Sequence, residues 1–250
     1  MTNLSGEEEL DLKSIGSLRI KLFADGANIE EMRRIHKEGI AKGFTTNPTL
    51  MRRAGVADYE AFARGILGEI RDLPISFEVF SDEPDAMEAE AKRIASWGSN
   101  VNVKIPITNT KGQWSTELIK KLSAEGIPLN ITAICTVQQV EAIAPAIIGG
   151  PKTIVSVFAG RIADTGRDPV PVMKQAVQIL EANPNAELLW ASSRELLNIF
   201  QAESCGCHII TVTNDILKKI GNIGKDLSVV SLETVRMFYD DARASGYAIV

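Results

Sequence analysis

The sequence predicts an α/β protein built as a single-domain (β/α)8 barrel with an extra C-terminal helix. Three observations predict it. Short β-rich runs alternate with helix-periodic segments along the whole chain. At 250 residues the chain has the length of one such barrel. The rival open, doubly wound sheet usually carries a G-x-G-x-x-G turn after an early strand, and this sequence contains none.

The strands are expected at 18–24, 43–46, 75–80, 101–105, 127–132, 153–158, 187–191 and 207–211. Helical spacing of apolar residues fills the intervals, roughly 28–41, 57–71, 84–97, 114–125, 136–147, 169–182 and 193–203. The punctuation agrees. Gly39, Gly98 and Gly126 fall where helices should stop, and Pro84 and Pro169 where they should start. A last helix is expected over about 232–244. Composition does not shift along the chain, so residues 1–16 read as a polar N-terminal arm and 17–250 as one catalytic barrel domain including that last helix.

Hydrophobic residues make up 45% of the chain, enough for one large core. The formal net charge of −5 excludes a strongly basic nucleic-acid footprint but leaves room for a local cationic pocket. No apolar run reaches membrane-spanning length. The opening MTNLSGEEELDLKS lacks the basic start and apolar stretch of a secretory signal, so a cytoplasmic protein is expected. The odd count of three cysteines, Cys135, Cys205 and Cys207, fits reduced thiols. Cys205-Gly206-Cys207 is not a zinc pattern, and the two histidines, His36 and His208, have no ligand spacing, so no metal is expected.

Barrels of this kind place their chemistry at the C-terminal ends of the strands. Here those ends carry Asp25, Thr45, Asn47, Glu78, Lys104, Asn130, Thr132, Ser156, Arg161, Ser192 and Arg194. Alternation along a strand tests whether they converge. In Val101-Asn102-Val103-Lys104-Ile105 the apolar residues share one face, which leaves Lys104 inside. The same count pairs Thr45 with Asn47, Asn130 with Thr132, and Ser156 with Phe158. So many inward polar groups are costly unless they pair or serve a function.

Lys104, beside Val103, Ile105 and Pro106, is the sharpest of them. The plain alternative is a lysine snorkelling to solvent. Burial instead disfavours its ammonium, and a neutral lysine amine forms Schiff bases with ketones. Glu78, set among Phe77, Val79 and Phe80, is a partner for Lys104, an acid/base group, or both. Asp25 could cap the first helix, but Asn28 can do that and leave Asp25 free. Arg161 and Arg194 have forks that fit phosphate; an ion pair, for instance Arg161 with Asp164, is the plain alternative.

Five stretches now resemble the transaldolase family, in the family's order. They are Gly43-Phe44-Thr45-Thr46-Asn47-Pro48-Thr49-Leu50, Val103-Lys104-Ile105-Pro106, Asn130-Ile131-Thr132-Ala133, Ser156-Val157-Phe158-Ala159-Gly160-Arg161-Ile162-Ala163-Asp164 and Ala191-Ser192-Ser193-Arg194. The resemblance implies a (β/α)8 barrel in which Lys104 forms the Schiff base, Asp25 is the acid/base aspartate, and Glu78 and Thr132 hold a catalytic water. It implies substrate contacts at Thr45, Asn47, Asn130 and Ser156, and a phosphate site of Arg161, Ser192 and Arg194. Related fructose-6-phosphate aldolases typically carry glutamine where Glu78 stands and tyrosine where Phe158 stands; both positions here are transaldolase-like.

The implied activity is transfer of a dihydroxyacetone unit between sugar phosphates of the pentose phosphate pathway, with no cofactor. The implied partners are small sugar phosphates, with no nucleic acid and no membrane, in a homo-oligomer. Three alternatives stand beside it: a fructose-6-phosphate aldolase that releases the three-carbon unit, a transaldolase acting on another acidic sugar such as a sulfonated one, and a non-catalytic sugar-phosphate binding protein.

Overall fold

The computed structural model describes residues 18–249, so the expected arm at 1–16 lies outside the described residues. Eight parallel strands close into a barrel in the order β1-β2-β3-β4-β5-β6-β7-β8. They are β1 (Lys21–Asp25), β2 (Phe44–Thr45), β3 (Ile75–Glu78), β4 (Val101–Pro106), β5 (Leu129–Ile134), β6 (Thr153–Val157), β7 (Ala186–Trp190) and β8 (Ile209–Thr213). All eight expected strands are present, with ends displaced by at most three residues. β5 and β8 each start and end two residues later than the residue pattern alone suggests: β8 runs on to Thr213 while it pairs with β1 as far as Asp25↔Thr213.

Helices α1 (Ile29–Glu38), α2 (Pro48–Arg53), α3 (Tyr59–Glu69), α4 (Pro84–Ala95), α5 (Thr116–Ala124), α6 (Val137–Ile143), α7 (Ala159–Ala163), α8 (Val170–Leu180), α9 (Leu197–Ser204) and α10 (Asn214–Leu217) flank the barrel. Their ends follow local chemistry. Asn28 caps α1 by accepting from the Glu31 amide, and Gly39 closes it at φ 68°, a conformation that favours glycine. Pro84 opens α4, whereas Pro169 is the residue just before α8. A reciprocal capping box of Thr136 and Gln139 starts α6. Three short helices, α2, α7 and α10, were not expected, because four to six residues are too few to show a period.

Each helix turns apolar residues inward: Met32 and Ile35 from α1, Ala63 and Ile66 from α3, Met173 and Ala176 from α8. They meet the outward faces of strands, among them Val103, Ile105 and Ile131, all fully buried. Inside the barrel Phe23, Ile154, Leu189, Ala191 and Ile209 form an apolar plug. Burying such side chains stabilises by roughly 1.5–3 kcal/mol each.

Leu18–Lys218 form one compact unit, and the chain from Lys219 onward belongs to another. In the latter, α11 (Leu227–Ala244) begins at an Asp226 cap, five residues before the expected start near 232. None of its residues is buried, and Leu232, Val235, Met237, Phe238 and Tyr239 are all exposed. Among the described residues no helix is long and apolar enough to cross a membrane.

Candidate active site

At the C-terminal ends of the strands a cavity of about 420 Å³ opens. Every site residue expected from the sequence lines it: Asp25, Thr45, Asn47, Glu78, Lys104, Asn130, Thr132, Ser156, Phe158, Arg161, Ser192 and Arg194. The convergence follows from register. Glu78 lies opposite Lys104, Lys104 opposite Asn130, and Pro106 opposite Thr132. Asp25 lies opposite Thr45. Parallel strands in register put side chains of one parity on the same face.

Lys104 is 6% exposed. Its Nζ lies 2.8 Å from Glu78 Oε2 and donates to the Thr46 carbonyl at 2.7 Å. The amine is therefore held in an ion pair with Glu78. Glu78 is itself fixed by Tyr59. The Tyr59 hydroxyl donates to the Glu78 carbonyl at 3.0 Å and accepts from the Glu78 amide at 2.8 Å. Tyr59 stacks edge-on against Phe77 and Trp97, and burial pushes its phenol well above the usual range.

Asp25 accepts from Thr45 Oγ1 at 2.8 Å. Burial raises its carboxyl above the ordinary value of 3.8, against the pull of Lys104 and the Thr45 hydroxyl; Glu78 adds to the rise. Asn130 accepts from Ser156 Oγ at 2.7 Å and donates to Ser76 Oγ at 3.0 Å, so its amide is locked across three strands. Asn47 caps α2, its Oδ1 accepting from the Leu50 amide, which leaves its NH2 for the cavity. Thr132 Oγ1 is buried with no hydrogen-bond partner among the described residues. Such an orphan hydroxyl marks a place for a water or a ligand group.

Among the described residues, the two non-glycine residues with positive φ both line this cavity: Ala133 at 62° and Ser192 at 59°. The left-handed conformation costs roughly 1–2 kcal/mol in L-residues, and such strain clusters at functional sites. At Ala133 it coincides with a break in the β5–β6 register between Ile131 and Ile134. At Ser192 it brings the backbone against Gly160, where a Cβ would sit 1.6 Å from the Ser192 carbonyl oxygen.

The cations at the rim differ from the expected pairing. Asp164 pairs with Arg194, not with Arg161. Arg194 is 30 residues away in sequence, yet β6 and β7 are neighbours and their following loops meet. Arg161 has no carboxylate partner among the described residues. The sequence reading missed Thr211, Arg53 and Tyr59. Thr211 and Arg53 also line the cavity. The alternation Ile209-Thr211-Thr213 in β8 could have revealed Thr211. Tyr59 acts from a helix, so strand parity says nothing of it.

The Transaldolase/Fructose-6-phosphate aldolase family pattern matches residues 22–248. The chain belongs to the transaldolase/fructose-6-phosphate aldolase family. A "Probable transaldolase" of Dehalococcoides mccartyi is 35% identical over 202 residues, covering 80% of this chain and 90% of the relative. One of Streptococcus equi subsp. equi is 38% identical with the same coverage. Among solved structures, dihydrodipicolinate synthase from Rhodopseudomonas palustris has a TM-score of 0.54 at 12% identity, over 89% of this chain and 79% of that one. At that identity the likeness shows the fold alone. The protein is thus an enzyme of the transaldolase family, whose substrates are sugar phosphates.

Proposed function

We propose that this enzyme transfers a dihydroxyacetone unit from a ketose phosphate (fructose 6-phosphate or sedoheptulose 7-phosphate) to an aldose phosphate (erythrose 4-phosphate or glyceraldehyde 3-phosphate). The unit is carried on Lys104 as a Schiff base. The observation that supports it most is a buried primary amine 2.8 Å from a carboxylate, inside a polar cavity with cations at its rim. Lys104 hands a proton to Glu78 and its free amine adds to the C2 carbonyl. A water held by Glu78 and the unpartnered Thr132 hydroxyl returns protons as the carbinolamine loses water. The iminium then draws electrons, Asp25 takes the C4 hydroxyl proton, and the C3–C4 bond breaks. The aldose phosphate leaves. The three-carbon enamine stays on Lys104 within reach of Asn47, Asn130 and Ser156, then adds to the incoming aldehyde. Phe158 offers no phenol to protonate it, which supports transfer over release.

Mass spectrometry after borohydride treatment with fructose 6-phosphate tests this. The expected result is a reduced three-carbon adduct on the Lys104 peptide; an adduct elsewhere, or none, rejects the reading. Rapid dihydroxyacetone release without an acceptor would instead identify an aldolase.

The phosphate is assigned to Arg161, Ser192 and Arg194. Gly160→Ala forces its methyl into the Ser192 carbonyl and parts these groups. Losing one charge-assisted hydrogen bond should raise KM for the phosphorylated ketose on the order of tenfold, with Lys104 labelling retained at saturating substrate.

The apolar side chains that α11 leaves uncovered within its own unit support a homo-oligomer. Removing residues 224–250 should lower the mass seen by light scattering to that of a smaller species. An unchanged subunit number would count against α11 as the contact.

A further inference from the structure

Asp25 is the outermost member of a chain of three side chains that begins on β8. Thr211, 6% exposed, projects inward from that strand opposite Phe23 of β1. Its Oγ1 lies 2.6 Å from Thr45 Oγ1 on β2, and Thr45 Oγ1 lies 2.8 Å from Asp25 Oδ1. We infer that Thr211 is a positioning residue which, through Thr45, holds Asp25 in its ionised, proton-accepting form.

A threonine hydroxyl has one hydrogen. An ionised Asp25 can only accept, so the Thr45 hydrogen points to it. Thr45 then has none left for Thr211, and the 2.6 Å contact must be filled by the Thr211 hydrogen. Both hydroxyl dipoles align toward the carboxylate, and each bond in such a chain strengthens the next. Protonating Asp25 leaves Thr45 donating to a neutral carboxyl, a weaker acceptor than the carboxylate, so the aligned chain favours the ionised form. The carbonyl of Thr211 accepts from Ser193 Oγ at 2.9 Å. That same bond ties β8 to the loop bearing Ser192 and Arg194, so the donor at the start of the chain is held in place.

The relay acts against other influences on Asp25. Burial and Glu78 on β3 oppose its charge, while Lys104 on β4 favours it. These leave Asp25 a better proton acceptor than an exposed aspartate but oppose its ionised state. The two hydroxyls offset part of that. Thr211 touches no substrate in this scheme, and its contribution reaches the reaction through Asp25 alone. The inference rests on the reading of Asp25 as the base for C3–C4 cleavage.

The test is the titration of Asp25 itself, followed by carbon NMR in protein labelled at the aspartate carboxyls and assigned with Asp25→Asn. Thr211→Val removes the hydroxyl and keeps the shape. The Asp25 midpoint should move up by roughly 0.5 pH unit, as expected if losing one link weakens a charged hydrogen bond by about 10–30%. The acidic limb of kcat should follow it, with KM for the ketose unchanged. Thr211→Ser keeps a hydroxyl and should restore both. If valine disturbs folding, Thr211→Ala compared with Thr211→Ser carries the same expectation. An Asp25 midpoint that does not move, or that moves equally in the serine variant, overturns the inference. A midpoint that moves while the kcat profile stays fixed leaves the relay standing and rejects Asp25 as the base.

Discussion

Replacing Lys104 with methionine should abolish covalent trapping of the substrate and lower kcat/KM by on the order of 10⁴-fold or more, since no other group can take over an amine nucleophile. Methionine approximates the length and flexibility of the lysine stem, so the surroundings on β4 need not rearrange. The buried ion pair is lost, however, and a carboxylate that loses a buried partner is normally costly. Here Glu78 borders the cavity and keeps its backbone clasp from Tyr59, so it can be solvated. The variant should therefore fold and still bind the ketose phosphate. Borohydride labelling and ligand binding, measured on the same preparation, separate the two. Full labelling in the variant would place the Schiff base on another residue.

Asp25→Asn has the second-largest expected effect, and its two consequences run in opposite directions. A positioned acid/base group contributes about 10²–10⁴-fold, so kcat should fall by that order while borohydride still traps the uncleaved ketose on Lys104. Stability should rise. Burial lifts the folded-state carboxyl above its ordinary value of 3.8, so the folded protein binds more protons than the unfolded chain between those two points. Stability then falls as pH climbs through that window. An amide carries no such cost, so the variant should melt higher than the parent above the window. The difference should shrink as pH drops below the ordinary aspartate range. Melting curves at neutral and acidic pH check this; equal midpoints at neutral pH would mean that Asp25 is no burden to the fold.

Strand parity was the most legible part of this molecule. It placed Lys104, Asn130, Thr132, Ser156 and Thr45 on the inward face, and all line the cavity. Alternation depends only on the local chain, which is why it reads directly. Features that depend on what meets what were not legible. Asp164 chooses Arg194 over the nearer Arg161 because two loops converge after neighbouring strands. The clasp of Tyr59 on Glu78 joins a helix to a strand across 19 residues. The bend at Ala133 has no glycine or asparagine to signal it. Helix α2 does begin with a cap and a first-turn proline, Asn47-Pro48, but six residues show no period to confirm it.

The plug beneath the catalytic layer has a kinetic meaning. Leu189 and Ala191 form part of the cavity floor, while Phe23 and Ile154 line a separate hollow at the opposite end of the barrel. In the proposed reaction, the apolar cluster between them would leave a fragment held on Lys104 facing the strand-end cavity and, among the described residues, closed off from the hollow below. On that proposal carbon skeletons would pass in turn: the departing aldose would vacate the vestibule before its successor docks, and turnover would take the form of an alternating, substituted-enzyme cycle.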